Sequence, residues 1–336
     1  MRILIIRLSS IGDILLTTPV LSAWKEKYPE STMDVLVMKN FGEVLEGNPS
    51  IDNLLFFDKE KTKSFGELIR FAGNLRKNGY DCVFDLHGKL RSRLIVKLLG
   101  VKTFTYRKRR FWKTVLVALR LSRYRPDDTI VRNYFGAFRD FGLCYRGEQL
   151  RFYFSDQDLT GVASWAGHPA MSRGASKSTK KWPLDYFMEL AQLLYERFGK
   201  EILILGGRED AQEAALIEKK SGGRCINLAG KLSLKESGAL LSRSLFLVCN
   251  DSAPFHLARA AGIPTFVFFG PTSPRMFDLN EKDTLLYAGE SCSPCSLHGE
   301  KACPRGHFHC MRHITPQQVL EAIETKVDTM DTRGRT

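Results

Sequence analysis

Residues 1–21, MRILIIRLSSIGDILLTTPVL, decide the fold. The apolar run Ile3–Ile6 reads as a buried strand, two serines and a glycine break it, and at Asp13 the apolar pattern of a helix resumes. Strand, tight polar turn and helix are the opening of a doubly wound α/β unit, whose ligands bind beyond the carboxyl ends of its strands. A dinucleotide-binding turn needs three glycines in this place, and RLSSIGD offers Gly12 alone, which disfavours a hydride-transfer enzyme. The turn offers instead the hydroxyls of Ser9 and Ser10 and, at the start of the helix, the carboxylate of Asp13. Free N–H groups and the helix dipole favour that carboxylate as an anion, so Asp13 is either a helix cap or a charge available for chemistry.

The same alternation continues along the chain. Strands are expected at Ile3–Ile6, Asp34–Val37, Asn53–Phe57, Cys82–Asp85 and Thr103–Thr105, with helices such as Phe65–Lys77 and Arg91–Leu99 between them. A second set follows at Glu201–Leu205, Cys225–Leu228, Phe246–Cys249 and Thr265–Phe268, separated by helices around Leu184–Phe198, Ala211–Lys220, Leu234–Ser242 and Phe255–Ala261. Each half makes a doubly wound domain, and two such domains facing one another create one cleft with a wall from each. The polar stretch from Gly147 to Gly174 holds the boundary, giving residues 1–157 and 158–336 as the two domains. The final MDTRGRT has no apolar pattern and is expected to fray.

The 336 residues are 43% hydrophobic, enough for two cores, and no run reaches the roughly 18 to 20 apolar residues of a bilayer-spanning helix. The N-terminus carries strand residues in place of a signal peptide, so a cytoplasmic location is expected. Residues 1–157 carry 28 Lys and Arg against 17 acids, whereas the remainder is nearly balanced, so the +13 formal charge belongs to the first half. Between Leu86 and Pro126 there are 13 basic residues and no acid, including the run Arg107–Arg110. Such a patch is either a solvated face or a surface for a polyanion: nucleic acid, an anionic membrane or a phosphorylated substrate.

Three further stretches carry chemistry. In LFLVCNDSAPFHLARAAGIP a strand ends at Asn250 and Asp251, small residues Ser252 and Ala253 follow, and Pro254 sets the first turn of a helix. Its free N–H groups form an anion site suited to a diphosphate, and His256 in the first turn either bonds a phosphate or packs. In GASKSTKKWPLDYF, hydroxyls and lysines precede a helix, as phosphate ligands or as a solvated basic loop. In CSPCSLHGEKACPRGHFHC (292–310), Cys292, Cys295, Cys303 and Cys310 are spaced to hold a structural zinc or iron, with His298, His307, His309 and His313 as spare donors; free thiols are the alternative. Four cysteine ligands would close the metal shell, so neither reading makes this segment the reaction centre.

Together, RLSSIGDILLTTPVL, DLHGKLRS (85–92), TKKWPLDYF, LGGRED, NLAGKLSLKESGALLSRS and NDSAPFHLARAAGIPTFVFFGPT resemble glycosyltransferase family 9, the ADP-heptose:lipopolysaccharide heptosyltransferases. The resemblance spans nearly the whole chain and includes the Cys-rich segment ending CMRHIT. It implies a GT-B architecture, acceptor on the N-terminal domain and sugar nucleotide on the C-terminal one, and an inverting transfer that needs no metal for catalysis. Asp13 matches the family's catalytic base, and Ser10 and Gly12 belong to its acceptor loop. Arg91 matches a position that meets acceptor phosphate or carboxylate. Lys180 matches the lysine that contacts the diphosphate, while Asp251, Ser252, Ala253 and His256 match the nucleotide-binding turn; Ser176 and Ser178 stand where further phosphate ligands occur. Ala253 replaces a glycine of that turn, and Arg173 stands where the family has proline.

The implied partners are ADP-heptose, an anionic lipid-linked oligosaccharide of the lipopolysaccharide core, and the inner face of the plasma membrane. Arg91, Arg107–Arg110 and the segment FWKTVLVALRLSRYR are expected to hold the acceptor and lie against the bilayer. A family member using another sugar, a nucleic-acid binder and a non-catalytic nucleotide-sugar sensor are the other readings; the chain has no recognisable nucleic-acid-binding signature. Glu209 and Glu213 both qualify to meet a ribose.

Overall fold

The computed structural model describes residues 1–106 and 129–333, with side chains through residue 329; Arg107–Arg110 and FWKTVLVALRLSRYR lie outside the described residues. The chain forms two α/β units. The described residues of the first are 1–106, 129–153 and 276–278, and the second takes the rest of the chain from Phe154.

The first unit is built on five parallel strands: β1 (Arg2–Ile6), β2 (Thr32–Met38), β3 (Asn53–Phe57), β4 (Cys82–Asp85) and β5 (Lys102–Thr105), in the order β3-β2-β1-β4-β5. Its described helices are α1 (Ile11–Leu15), α2 (Thr18–Lys27), α3 (Phe65–Arg76), α4 (Leu90–Leu99) and α5 (Ile130–Gly136). The central strands β1, β2 and β4 are buried almost end to end, as strands covered on both faces must be, whereas edge strands β3 and β5 are largely exposed or half-buried. One charge breaks this apolar centre: Asp34 on β2 is fully buried and accepts hydrogen bonds from Arg2, Asn53 and Tyr80, each at 2.8 Å. Each of those bonds satisfies an oxygen that burial would otherwise leave unpaired.

The second unit has six parallel strands: β6 (Ala170–Ser172), β7 (Ile202–Ile204), β8 (Cys225–Asn227), β9 (Leu247–Asn250), β10 (Thr265–Phe269) and β11 (Asp283–Tyr287), in the order β11-β10-β9-β6-β7-β8. Its described helices are α6 (Asp156–Gly161), α7 (Leu184–Phe198), α8 (Ala211–Lys220), α9 (Leu234–Ser242), α10 (Ala253–Ala261), α11 (His309–Arg312) and α12 (Pro316–Arg333). Ser233 caps α9 and Glu236 returns the bond to the Ser233 N–H, a local start signal written in the sequence.

The sequence pattern does not reveal β6 or β11. Three residues between Pro169 and Arg173 are too few for periodicity to show, and β11 is a half-exposed edge whose alternation is weak. The expected fray at the C-terminus is corrected in part: helix α12 continues through Met330–Arg333, while residues 334–336 lie outside the described residues. Upstream, Val319, Leu320 and Ile323 anchor that helix in the second unit's core, and a helix so anchored can extend into polar sequence. Among the described residues no helix is long and apolar enough to cross a membrane.

Candidate active site

The β1–α1 turn places Ser10 just before α1 and Asp13 in its first turn. The residue that caps α1 is Ser10; Asp13 is the third residue of the helix and completes the capping box, its Oδ2 accepting from the Ser10 N–H at 3.4 Å and from Ser10 Oγ at 3.2 Å. The same oxygen pairs with Arg7 Nη2 at 2.6 Å. Arg7 is buried, its other nitrogen donates to the Leu86 carbonyl at 2.6 Å, and its guanidinium lies 5.6 Å from the Tyr134 ring centroid. Partial desolvation in the loop would raise the Asp13 carboxyl, but the Arg7 charge and hydrogen bond, with the bonds from Ser10, outweigh it and hold the group below the usual carboxylate range. All these contacts converge on Oδ2. Because the side chain is 37% exposed, Oδ1 is left to receive a proton or a hydroxyl from a ligand.

Beside this turn the first unit forms an open cavity of about 480 Å³. Ser9, Lys63, His87, Lys89 and Arg91 supply its polar lining, and Leu8, Met38, Leu68 and Leu94 its apolar wall. DLHGKLRS shapes one side of it: buried Asp85 accepts from the His87 and Gly88 N–H groups and from Ser92 Oγ, which fixes the turn that starts α4. Arg91 therefore stands at the cavity, while Asp85 is spent on the backbone. Gly12 lies buried in α1 beside Asp13.

In the second unit the β9–α10 turn and the Lys-Trp-Pro segment are bound together. Asn250 accepts from the Trp182 N–H at 3.0 Å and donates to the Arg173 carbonyl at 2.6 Å, while Trp182 stacks on Phe268. This brings Lys180 Nζ to 2.8 Å from Asp251 Oδ2, which also accepts from Thr272 Oγ1 at 2.8 Å. Lys180, Asp251, Ser252, Ala253 and His256 thus share one corner, and Pro254 opens α10 beside them. Asp251 is enclosed by its two donors, a geometry that positions Lys180. His256 is buried and its ring sits 5.0 Å from that of Phe255, so packing is part of its role. Ser176 and Ser178 are exposed on the lysine loop.

The choice between the two glutamates is narrowed. Glu213 is engaged by Arg173 and by Lys181 at 3.1 Å, whereas Glu209 is exposed. Arg173, in place of a proline, also donates to the Trp182 carbonyl at 3.0 Å and thereby braces the lysine loop.

The Cys-rich segment touches this corner directly. Thr179 and Glu300 exchange hydrogen bonds, and Gly299, at φ +80°, lies so close under Lys180 that an added Cβ would stand 2.7 Å from Lys180 Cγ. Cys292, Cys295, Cys303 and Cys310 are free thiols, and burial, followed by the nearby charges of Cys295, Cys292 and Cys303, pushes Cys310 up to about 12. Cys292 Sγ lies 3.9 Å from His307 Nε2. Among the described residues the one group of three ligand atoms within 4.8 Å of one another is Glu290, His309 and His313, so the sulfurs are neighbours without being gathered at coordination spacing.

Neither Arg7, Thr272 nor Gly299 was legible as a site residue: Thr272 and Gly299 act through partners distant in sequence, and Arg7, six residues before Asp13, is held in place by the distant Leu86 and Tyr134.

A family model, glycosyltransferase family 9 (heptosyltransferase), matches residues 68–305. Lipopolysaccharide heptosyltransferase 3 of Escherichia coli is 27% identical over 278 residues, covering 78% of this chain and 81% of that protein. Among solved structures, a family 9 glycosyltransferase from Veillonella parvula superposes with a TM-score of 0.81 at 21% identity, covering 97% of each chain. The E. coli ADP-heptose LPS heptosyltransferase II superposes at 0.79 and 21%, covering 98% of this chain and 100% of that one. The two parallel-sheet units are those of the GT-B fold, and the chain belongs to glycosyltransferase family 9, the heptosyltransferase family.

Proposed function

We propose that the protein transfers heptose from ADP-heptose to an anionic, lipid-linked lipopolysaccharide core, with inversion at the anomeric carbon. The observation that carries this reading is the Arg7-held Asp13 carboxylate, ionised, with one oxygen free, beside a cavity lined by Lys63, His87, Lys89 and Arg91. The acceptor's phosphates or acidic sugars occupy that basic cavity. Its hydroxyl attacks the anomeric carbon, the bond to the diphosphate breaks, and Asp13 Oδ1 takes the hydroxyl proton as it becomes acidic.

The leaving diphosphate is received by the α10 N-terminus, with Ser252 and Ala253, and by Lys180, which has N–H directions beyond the one it gives to Asp251. That charge stabilisation is what a divalent ion would otherwise supply, so no metal is assigned to the chemical step. Ser178 and His256 sit within the same donor corner as secondary contacts. Peripheral attachment to the inner face of the plasma membrane brings the enzyme to its lipid-linked acceptor, and nucleic acid has no part in this reading.

A structural zinc or iron in the Cys-rich segment would be held by Cys292, Cys295, Cys303 and Cys310 only if those sulfurs closed up from their present spacing, whereas the ligand atoms of Glu290, His309 and His313 are already within 4.8 Å of one another. Metal analysis of the purified chain, with cobalt substitution, separates the donor sets. An intense thiolate-to-cobalt band supports the four sulfurs, and weak d–d bands alone point to Glu290, His309 and His313.

The function itself is tested by thermal shift with ADP, UDP and GDP, followed by transfer assays with the sugar nucleotide of the stabilising base. Stabilisation by ADP and transfer from ADP-heptose are expected. Stabilisation by UDP or GDP alone would favour a family member that uses another sugar nucleotide.

A further inference from the structure

Among the described residues eight large apolar side chains are exposed, and three of them gather on one rim. Phe65 and Leu90, 61% and 75% exposed, occupy the first positions of α3 and α4 at the mouth of the basic cavity, and Ile69, one turn along α3 from Phe65, is 45% exposed. A first-turn helix position facing water accepts a polar residue without loss, so apolar side chains at both of these starts call for a partner surface. The surround is basic: Lys89 and Arg91 line the same mouth, Lys63 there is paired with Glu60, and Glu67 is taken up by the cap of α3. Protruding apolar side chains ringed by cations fit a surface that is apolar within and anionic without.

We propose that this rim is a bilayer-docking lip: Phe65, Ile69 and Leu90 seat in the interface of an anionic membrane, and the cations behind them meet its phosphates. The inference rests on the cavity being the acceptor site, and it adds how a lipid-linked acceptor reaches that site without leaving the bilayer. Neither signal suffices alone, since two or three apolar side chains and a few lysines are each weak anchors; combined on one rim they give reversible attachment.

The test is flotation of the full chain, with no donor or acceptor present, on phosphatidylcholine vesicles with and without about 30% phosphatidylglycerol. Wild type is expected to float with the anionic vesicles and to stay behind with the neutral ones. The triple variant Phe65→Ser, Ile69→Ser, Leu90→Ser is expected to lose on the order of tenfold in vesicle affinity or more, with its thermal midpoint held. The control pair Leu216→Ser and Leu245→Ser removes two apolar side chains of the second unit, each 38% exposed, and is expected to float like wild type. Equal flotation of the triple variant, equal loss in the control pair, or binding indifferent to lipid charge would each overturn the lip. Wild-type transfer to a deacylated, water-soluble acceptor is measured in parallel, because it reports on the transferase reading alone.

Discussion

Each unit ends a central strand in a turn where an aspartate meets a cation, and the two turns differ in what they expose: the first leaves its carboxylate open, the second buries both partners. In the first, Arg7 is 6% exposed and Asp13 37%; in the second, Lys180 is 12% exposed and Asp251 9%. The ion pairs are alike in length, 2.6 and 2.8 Å. What differs is the remaining partner set. Asp13 gives one oxygen to all its donors and keeps the other, whereas Asp251 is closed in by Lys180 and Thr272. On the proposed reading, the same pair of charges yields a carboxylate positioned to react in one unit and a carboxylate that positions a lysine in the other. An aspartate after a strand is not a role; its exposure decides.

The most severe way to break this comparison is to neutralise the two carboxylates in turn. Asp13→Asn retains an acceptor for Arg7 and should fold with an unchanged melting temperature, yet kcat should fall by about 10²- to 10⁴-fold, as for loss of a general base. Asp251→Asn should leave kcat within about tenfold and act chiefly on donor KM, since it loosens Lys180 without removing a reacting group. Steady-state kinetics on both variants decide the matter: equal losses in kcat would erase the distinction between the two turns.

Arg7 sharpens the same contrast through pH. Arg7 lowers the Asp13 carboxyl, so in wild type the acid limb of kcat/KM should lie below the ordinary aspartate value of 3.8. Arg7→Met should move that limb upward and cost roughly 10- to 100-fold in kcat at neutral pH, because the carboxylate loses its orientation while staying mostly ionised. The linkage has a matching sign. A carboxyl depressed by folding stabilises the native state above its unfolded pKa, and that contribution disappears as pH falls through the lower folded value. Acid unfolding of Arg7→Met should accordingly lose this contribution, while a pH–rate profile superimposable on wild type would remove Arg7 from the mechanism.

How much of this was open to sequence reading depends on distance along the chain. Local signals carried far: the strand–turn–helix of residues 1–21, the Ser233–Glu236 cap and the proline that opens α10 are each written within a few residues. Asp13 was legible as a candidate because its neighbours define its place in a helix. Its partner Arg7 was not, because a buried guanidinium six residues away looks like any strand-end arginine until Leu86 and Tyr134 close around it. Lys180 and Asp251 were both singled out, but separately, one as a diphosphate contact and the other as part of the nucleotide-binding turn; a separation of 71 residues hides an ion pair that β6–β9 pairing helps create.

Lys180 itself supplies the next effect in size. Lys180→Met should raise donor KM about tenfold with a smaller change in kcat, since a point charge on a diphosphate is lost but the helix terminus remains. The variant also leaves Asp251 enclosed without its cation, at a cost on the order of 3 kcal/mol if Thr272 cannot compensate. The double variant Lys180→Met, Asp251→Asn separates the two consequences. Its thermal midpoint should recover most of the loss while donor KM stays high. Recovery of KM together with stability would mean that Lys180 serves only to neutralise Asp251.

The smallest effect should come from outside both turns, at Gly299. This residue adopts φ +80° directly under the Lys180 stem, so Gly299→Ala meets a conformational penalty of about 1 kcal/mol and a steric one against Lys180 Cγ. The lysine can yield, because its stem is flexible, but in yielding it shifts its ammonium from the place where Asp251 holds it. Donor KM should rise a few-fold with kcat nearly unchanged, accompanied by a fall in thermal midpoint of a few degrees. A fall in stability alone would make the Cys-rich segment a scaffold and nothing more. A rise in KM would show that this segment, through Gly299 and the Thr179–Glu300 bonds, sets the position of the cation that completes the second turn, something the first turn achieves with a buried arginine on its own strand end.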